Sequence, residues 1–452
     1  MSQLDEAIAR YHKILESDSH RNLSWATELQ AQMETEHLSF GGRLICPFLR
    51  PHFITRRQYD SLVKTGETLI CAVDRMQQIV LQNPALLSQL ELLPAEKMLA
   101  AIDPGYKNLE VTCRLDSHLT NGSLQLVQYN ADSPTGVAWA DSLSELFYNA
   151  APVKEFRKKY PLTRVGGKKH LLSALLATYK QFKGRGKPRI AILEFRPSFA
   201  TTTSEFELYR DFFRQEGYEA EMVSPDQLEF KNDVLRRGNF EIDLVYRRVS
   251  VQEFLQRFDL SHPLVQAYRA RKVCIANSFR SELAHKKAMF ALLTDEEVTA
   301  KFPAAERKAI RDHVPWTRLV STVKTTYHGK KIDLSEYILK HRERLALKPN
   351  DDYTGQGSFF GWEMNDASWD RALRQAQRLP YVVQEKVEPA KSVFPVRSEA
   401  GGLEFRDMRV DVYPQAYLGR ILSCSSWLSL GSAAGFASSA GLAPTFILDG
   451  PK

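Results

Sequence analysis

The 452-residue chain is long enough for two or three domains, and its 43% apolar and 25% charged residues are those of an ordinary globular protein and not of a disordered one. A formal charge of +7 and a pI near 9.0, with no long basic tail, suit an anionic nucleotide or metabolite as well as nucleic acid. Five scattered cysteines without a Cys-x-x-Cys pair exclude a zinc or disulfide framework and point to reduced thiols in a cytoplasmic protein.

The first residues, MSQLDEAIARYHK, have no apolar run of the signal-peptide kind. Residues 1–100 read as mainly helical, with apolar residues at helical spacing over 4–16, 25–36 and 57–81. Thr55 is the expected N-cap of the third of these helices.

A hairpin signal follows. CRLDSHLT alternates as a strand should, Asn121-Gly122 marks a tight turn, and SLQLVQYN returns. Asp116, Gln128 and Asn130 offer oxygen atoms near its open end, the donor type that magnesium prefers. Register decides whether they converge. A two-residue turn pairs Asp116 with Val127 and sends Asp116 to the opposite face from Gln128 and Asn130, while collecting Cys113, Leu115, Leu119, Leu124 and Leu126 on one apolar face. A three-residue loop with Gly122 as a bulge brings Asp116, Gln128 and Asn130 to the same side, with Arg114 and His118 beside them.

Residues 151–187 hold basic clusters and a helix over 170–182. The linker KGRGKP then ends in a strand–helix alternation: strands at 189–195, 219–223 and 242–248, and a helix over 205–216 capped from 201–204. This is a β-α-β run with a parallel sheet, so the loop 196–204 and Arg247-Arg248 lie where ligands of such sheets bind. Further on, a helix is expected over 279–293, carrying Lys286 and Lys287, then a strand over 315–320 and a helix over 334–344.

Residues 345–363 read LALKPNDDYTGQGSFFGWE. A short apolar strand delivers Lys348, Pro349 ends the pairing, and a loop with Asp352, Gly355 and Gly357 follows. A lysine at a strand end beside a glycine-containing loop can hold a polyphosphate, because backbone N–H groups come close where no Cβ obstructs them. It is neither a Walker loop nor a dinucleotide motif. After a helix over 367–378, the run YVVQEKVEP can present its backbone to a flat base. The strand RDMRVDVY carries Arg409, whose guanidinium fork matches phosphate oxygens or a neighbouring aspartate. The uncharged segment 421–448 is too rich in serine and glycine, and too interrupted at Pro444, for a spanning helix; it reads as a buried small-residue loop ending in a strand.

Taken in order, the hairpin CRLDSHLTNGSLQLVQYNADSPTG, the loop LKPNDDYTGQG, the run YVVQEKVEP and the strand RDMRVDVY resemble the circularly permuted ATP-grasp proteins of the glutathionylspermidine synthase type, from about Arg43 onward. The resemblance implies an α/β (α+β) chain with a helical region at 1–100, a metal-binding hairpin with helices at 101–185, a small parallel-sheet pre-ATP-grasp-like domain at 186–260 and a nucleotide-binding region at 261–452. It also implies an ATP- and magnesium-dependent carboxylate–amine ligase acting through an acyl phosphate, with a small-molecule or peptide acid and an amine as co-substrates and neither nucleic acid nor membrane as a partner. On that likeness Lys287 and Lys348 contact phosphates, and residues 352–357, with Asp352, Gly355 and Gly357, form a flap. Glu385, Lys386 and Val387 line the adenine with Gln384 near Lys348, and Glu388 reaches the ribose. Asp116, Gln128 and Asn130 bind the metal, and Arg114 and Arg409 face the transferring phosphate. One departure stands out: the family has Glu-x-Asn where this chain has Gln128-Tyr129-Asn130. Either the protein is a weakened or non-catalytic ATP-binding relative, or a neighbouring carboxylate such as Asp132 compensates.

Overall fold

The computed structural model describes residues 2–120, 123–195, 203–351, 357–430 and 440–450. Asn121, Gly122, the loop 196–202, Asp352 and Gly355 lie outside them, as do the side chains of Thr203 and Ser204. Two of the long helices start where the sequence supplies a cap. Ser2 and Asp5 form a capping box on Gln3–Glu16, and Thr55 and Gln58 form one on Arg56–Gln82. The latter buries Leu62, Leu69, Val73, Met76 and Val80 along one stripe and lies against the large sheet. Gly66 permits this approach, since a Cβ there would run into Ile421 of the sheet.

Three sheets make up the frame. The largest has eight strands among the described residues, in the path His52–Thr55, Gly441–Leu448, Arg420–Ser429, Leu403–Tyr417, Thr112–Thr120, Ser123–Asn130, with Leu162–Arg164 and Ala390–Arg397 paired beside it. The early hairpin thus completes a sheet built mostly from the last sixty residues. A second sheet is wholly parallel, in the order Cys274–Ala276, Leu244–Arg247, Ile190–Leu193, Ala220–Val223. Its central strands are buried on both faces, as their unbroken apolar runs require. The third is antiparallel, in the order Thr317–Leu319, Tyr381–Glu385, Leu345–Pro349, Phe359–Phe360.

Three local readings change. The 421–448 segment is not a loop ending in a strand: Arg420–Ser429 is itself a strand, and its serines sit in the buried sheet interior, Ser426 bonded to His52 at 2.7 Å and to Thr445 at 2.8 Å. The expected single helix over 279–293 is broken into Phe279–Ser281, Glu282–His285 and Ala288–Leu293. Periodicity reads through the break because both halves are apolar. The backbone leaves the helix at Lys286 because Asn350 takes over its donors: Lys287 N–H donates to the Asn350 carbonyl at 3.0 Å and Ala288 N–H to the Asn350 side-chain oxygen at 2.8 Å.

The third change is in the hairpin, where neither expected register holds. Thr120 pairs with Ser123 and Leu119 with Leu124, the register of a two-residue turn. The ladder then shifts between Ser117 and Asp116, so that Ser117 pairs with Leu126 but Asp116 with Gln128, Leu115 with Tyr129 and Arg114 with Asn130. Val127 is the extra residue of this bulge. Leu124 and Leu126 stay in the core, and Asp116, Gln128, Asn130 and Arg114 still reach a common face.

Candidate functional site

The third sheet and the large sheet meet face to face at a small cavity of about 120 Å³. From the third sheet, Ala346 pairs with Gln384, and Lys348 lies two residues along on the same face. Lys348 Nζ donates to Gln384 Oε1 at 2.6 Å, and Gln384 Nε2 donates to Thr317 Oγ1 at 3.2 Å, so the amide is fixed and the ammonium is aimed. Lys287, carried by the broken helix, lines the same cavity. From the large sheet come Asp116, His118, Gln128, Arg409, Asp411 and Tyr413. Ser117 pairs with Val412 and Arg114 with Gln415, which sets Asp116, His118, Asp411 and Tyr413 on one side.

Charge defines this cavity. Burial, then the neighbouring charges of Lys287 and Arg409, push the Lys348 pKa down to about 7, and the carboxylates of Asp116 and Asp411 only partly offset this. Three cations from residues 287, 348 and 409 are thus held where they repel one another, which an anion would relieve. Such an anion raises the Lys348 pKa again, so its binding is expected to take up protons at pH 7 and above. Calorimetric titrations in two buffers of different ionisation enthalpy measure that uptake. The affinity is expected to fall as pH rises through about 7, where the lysine of the empty protein becomes neutral.

The acidic side is also organised. Arg114 grips Asp116 with two hydrogen bonds, at 2.6 and 2.8 Å, stacks over Tyr413 at 4.5 Å, and donates to the Thr135 carbonyl at 3.1 Å. Asp411 accepts from His118 Nδ1 at 2.8 Å and from Arg409 Nε at 3.0 Å. Burial works against its charged form, yet the His118 hydrogen bond and the Arg409 charge hold its carboxyl below the usual range. Asn130 is buried, and its side-chain oxygen accepts no hydrogen bond from the described residues. Oxygen donors at Asp116, Gln128 and Asn130, with Asp411 nearby, fit a hard divalent cation that keeps some of its waters.

Other expected residues are placed as follows. Gly357 takes φ +78°, and its carbonyl accepts from the Tyr381 hydroxyl at 2.9 Å. The Glu385 side chain turns away to the Tyr327 hydroxyl at 2.6 Å. Residues 385–387 separate the small cavity from a larger cleft of about 800 Å³, and Glu388 lines only the latter, paired with Lys386 at 2.7 Å. Asp132 cannot compensate for Gln128: it is buried, ion-paired with Arg247 at 2.5 Å, and accepts from Val251 N–H at 3.0 Å. Arg248 is occupied by the carbonyls of Ser133 and Pro134, so Arg247 and Arg248 fasten the hairpin exit and are not ligand groups of the parallel sheet.

The sequence reading missed Asp411 as a member of the site, and gave His118 a place beside the metal oxygens but no partner. Asp411 was legible as the second charge of RDMRVDVY, two residues after Arg409 and therefore on the same face. It also missed a carboxylate cluster. Glu96, Glu282 and Asp351 bring ligand oxygens within 4.8 Å of one another, and Lys286 Nζ reaches them at 3.0, 2.8 and 2.5 Å. An ammonium fills the position that a metal ion would take.

No family model matches the sequence. A putative glutamate–cysteine ligase of Frankia casuarinae is 26% identical over 251 residues, which are 53% of this chain and 27% of that protein, so the match spans about a quarter of the relative's length. A glutathione synthetase-like effector from Globodera pallida, solved in its apo form, superposes with a TM-score of 0.60 at 14% identity, covering 94% of this chain and 97% of that one. This likeness shows a shared mixed α/β fold. The ATP-grasp ligase PsnB, solved with a minimal precursor, Mg and ADP, covers 55% of this chain and 91% of its own at 13% identity, with a TM-score of 0.29.

Proposed function

We propose that the protein is an ATP- and magnesium-dependent ligase that joins a carboxylate to an amine through an acyl phosphate, on a circularly permuted ATP-grasp frame of the glutathionylspermidine synthase type. The observation that carries this reading is the convergence of Lys287, Lys348 and Arg409 on one cavity with the oxygens of Asp116 and Gln128, while Asn130 lies farther along the same hairpin face. The early position of the 112–130 hairpin in a sheet of late strands supports the permuted order. The ligase names of the partly matching relative and of the PsnB structure agree with the reaction class.

In this reading the triphosphate lies along Lys348 and Lys287, with Gln384 beside Lys348, and residues 385–387 meet the base. Magnesium, held by Asp116, Gln128 and Asn130, supplies neutralisation of the phosphate oxygens. Arg409 spreads the charge of the transferring group, and Arg114 keeps Asp116 aimed. No protein nucleophile is required, because the substrate carboxylate attacks the γ-phosphate and the amine then displaces phosphate. Release of ADP that needs both an acid and an amine tests the reading; ATP binding without any such turnover contradicts it.

A second reading, an ATP-binding relative with little or no turnover, is favoured by one observation. Asp116 is the single carboxylate of the expected metal set, and it already accepts two hydrogen bonds from Arg114. Gln128→Glu separates the two. A chain limited by its metal site gains at least about 10-fold in magnesium affinity or hydrolysis, the scale on which changes to a metal site act. An active enzyme changes little or loses rate. Among the described residues no helix is long and apolar enough to cross a membrane.

A further inference from the structure

We propose that the cleft of about 800 Å³ behind residues 385–387 is a second ligand site, for a small organic anion with a flat apolar body. The cleft and the small cavity have only Glu385, Lys386 and Val387 in common, so an occupant here touches neither Lys348, Arg409 nor Asp116. Its remaining walls include the helix Ala304–His313, the Lys324–Asp333 region and Thr120, Ser123 and Gln125 of the 112–130 hairpin.

The chemistry of the lining selects the ligand class. Leu293, Ile310, Val314 and Trp316 give an apolar wall. Arg318 is only 6% exposed, yet every hydrogen bond it makes goes to a neutral oxygen: Thr325 Oγ1 at 2.7 Å, Thr294 Oγ1 at 3.0 Å, and the carbonyls of Thr317, Thr294 and Thr326 at 2.7, 3.3 and 3.4 Å. Its donors are spent, but its charge, stacked 5.2 Å from the Trp316 ring centre, remains in the wall with Asp295 and Glu296 as distant counter-charges. Donors for an anion come from the helix Ala304–His313, where Arg307 and Arg311 lie four residues apart on one face. Arg307 forms no ion pair among the described residues, and Arg311 comes no nearer to Asp312 than 3.6 Å. The carboxylates that line the cleft are largely engaged: Glu385 by the Tyr327 hydroxyl and Glu388 by Lys386, with Glu296 at the exposed rim.

The site also has a route to the small cavity. Glu385 N–H donates to the Trp316 carbonyl at 2.9 Å, so the shared segment hangs directly on the cleft wall. An anion seated against Trp316 therefore changes the position of residues 385–387 and, with it, the affinity for the nucleotide. This coupling rests on the nucleotide reading above; the site itself does not.

The test is a fluorescence titration of the full chain with 1-anilinonaphthalene-8-sulfonate, an aromatic anion that brightens in apolar surroundings. Saturable binding at one site is expected. The double variant Arg307→Glu/Arg311→Glu, both exposed and so compatible with the fold, is expected to lose at least about 10-fold in affinity, the size of a charge-assisted contact pair. Lys348→Met is expected to bind the probe as wild type does, and Mg-ATP is expected to change the probe's affinity without competing it away. Unchanged binding by the double variant, loss of binding in Lys348→Met, or simple competition by ATP each overturns the second site. Failure of ATP to bind at all overturns the nucleotide reading and its coupling, and leaves the probe result standing.

Discussion

Lys348→Met is expected to weaken ATP binding by about 10- to 100-fold, while the chain stays folded. The magnitude follows from the kind of contact removed: a charge-assisted hydrogen bond in a desolvated cavity is worth about 1.5–3 kcal/mol, and at about 1.4 kcal/mol per tenfold the upper end reaches 100-fold. Loss of the neighbourly order around Gln384 adds to it, because the amide loses its 2.6 Å donor. Stability is expected to hold or rise. In the empty protein the ammonium is disfavoured by burial and by Lys287 and Arg409. Its folded pKa, about 7, lies below the usual lysine value of 10.5, so between these two pH values the unfolded chain binds the extra proton, and wild-type stability increases with pH across that window. Methionine removes the group and with it that slope. Thermal melts from pH 6 to 10, beside equilibrium ATP titrations, check both parts. A variant that binds ATP as wild type does would remove Lys348 from the phosphate site.

Lys286→Met is expected to destabilise the fold by about 3–5 kcal/mol, the usual cost of removing one partner from a buried ion cluster. Glu96, Glu282 and Lys286 are all buried, and Asp351 is nearly so. Burial already pushes the Glu282 carboxyl well up, and only the Lys286 charge opposes it, while Asp351, Asp132 and Glu96 add repulsion. Without the ammonium the Glu282 carboxyl is held still more strongly in its neutral form. The variant's folded state then binds more protons than its unfolded state above the usual carboxylate range, so its stability falls as pH rises and recovers in acid. Denaturant unfolding of the variant at pH 5 and pH 8 reads this directly; a stability independent of pH would contradict it. The cluster also bears on the site, because Asp351 follows Asn350, whose carbonyl and side-chain oxygen cap the break that sets Lys287.

What the sequence made legible was local. The alternation of 112–130, the strand carrying Lys348 and the run ending at Glu385 form as their side-chain periods require. The β-α-β segment gives a parallel sheet for the same reason, though its fourth strand, Cys274–Ala276, comes from beyond the expected region. What stayed hidden depends on contacts between distant residues. The bulge at Val127 has no sequence mark of its own: valine suits a regular strand, and the shift is fixed by packing of Leu124 and Leu126 on one side and by the Arg114–Asp116 pair on the other. The break at Lys286 depends on Asn350, more than sixty residues later in the chain, and so escapes any window of helical periodicity. Asp132 illustrates the converse, a carboxylate near the site in sequence that Arg247 draws away from it.

The most direct measurement is a structure of the chain with magnesium and a non-hydrolysable ATP analogue. The account predicts phosphate oxygens within hydrogen-bond reach of Lys348, Lys287 and Arg409, and the metal on Asp116 and Gln128. Phosphates bound elsewhere, or a metal seated among Glu96, Glu282 and Asp351, would contradict it.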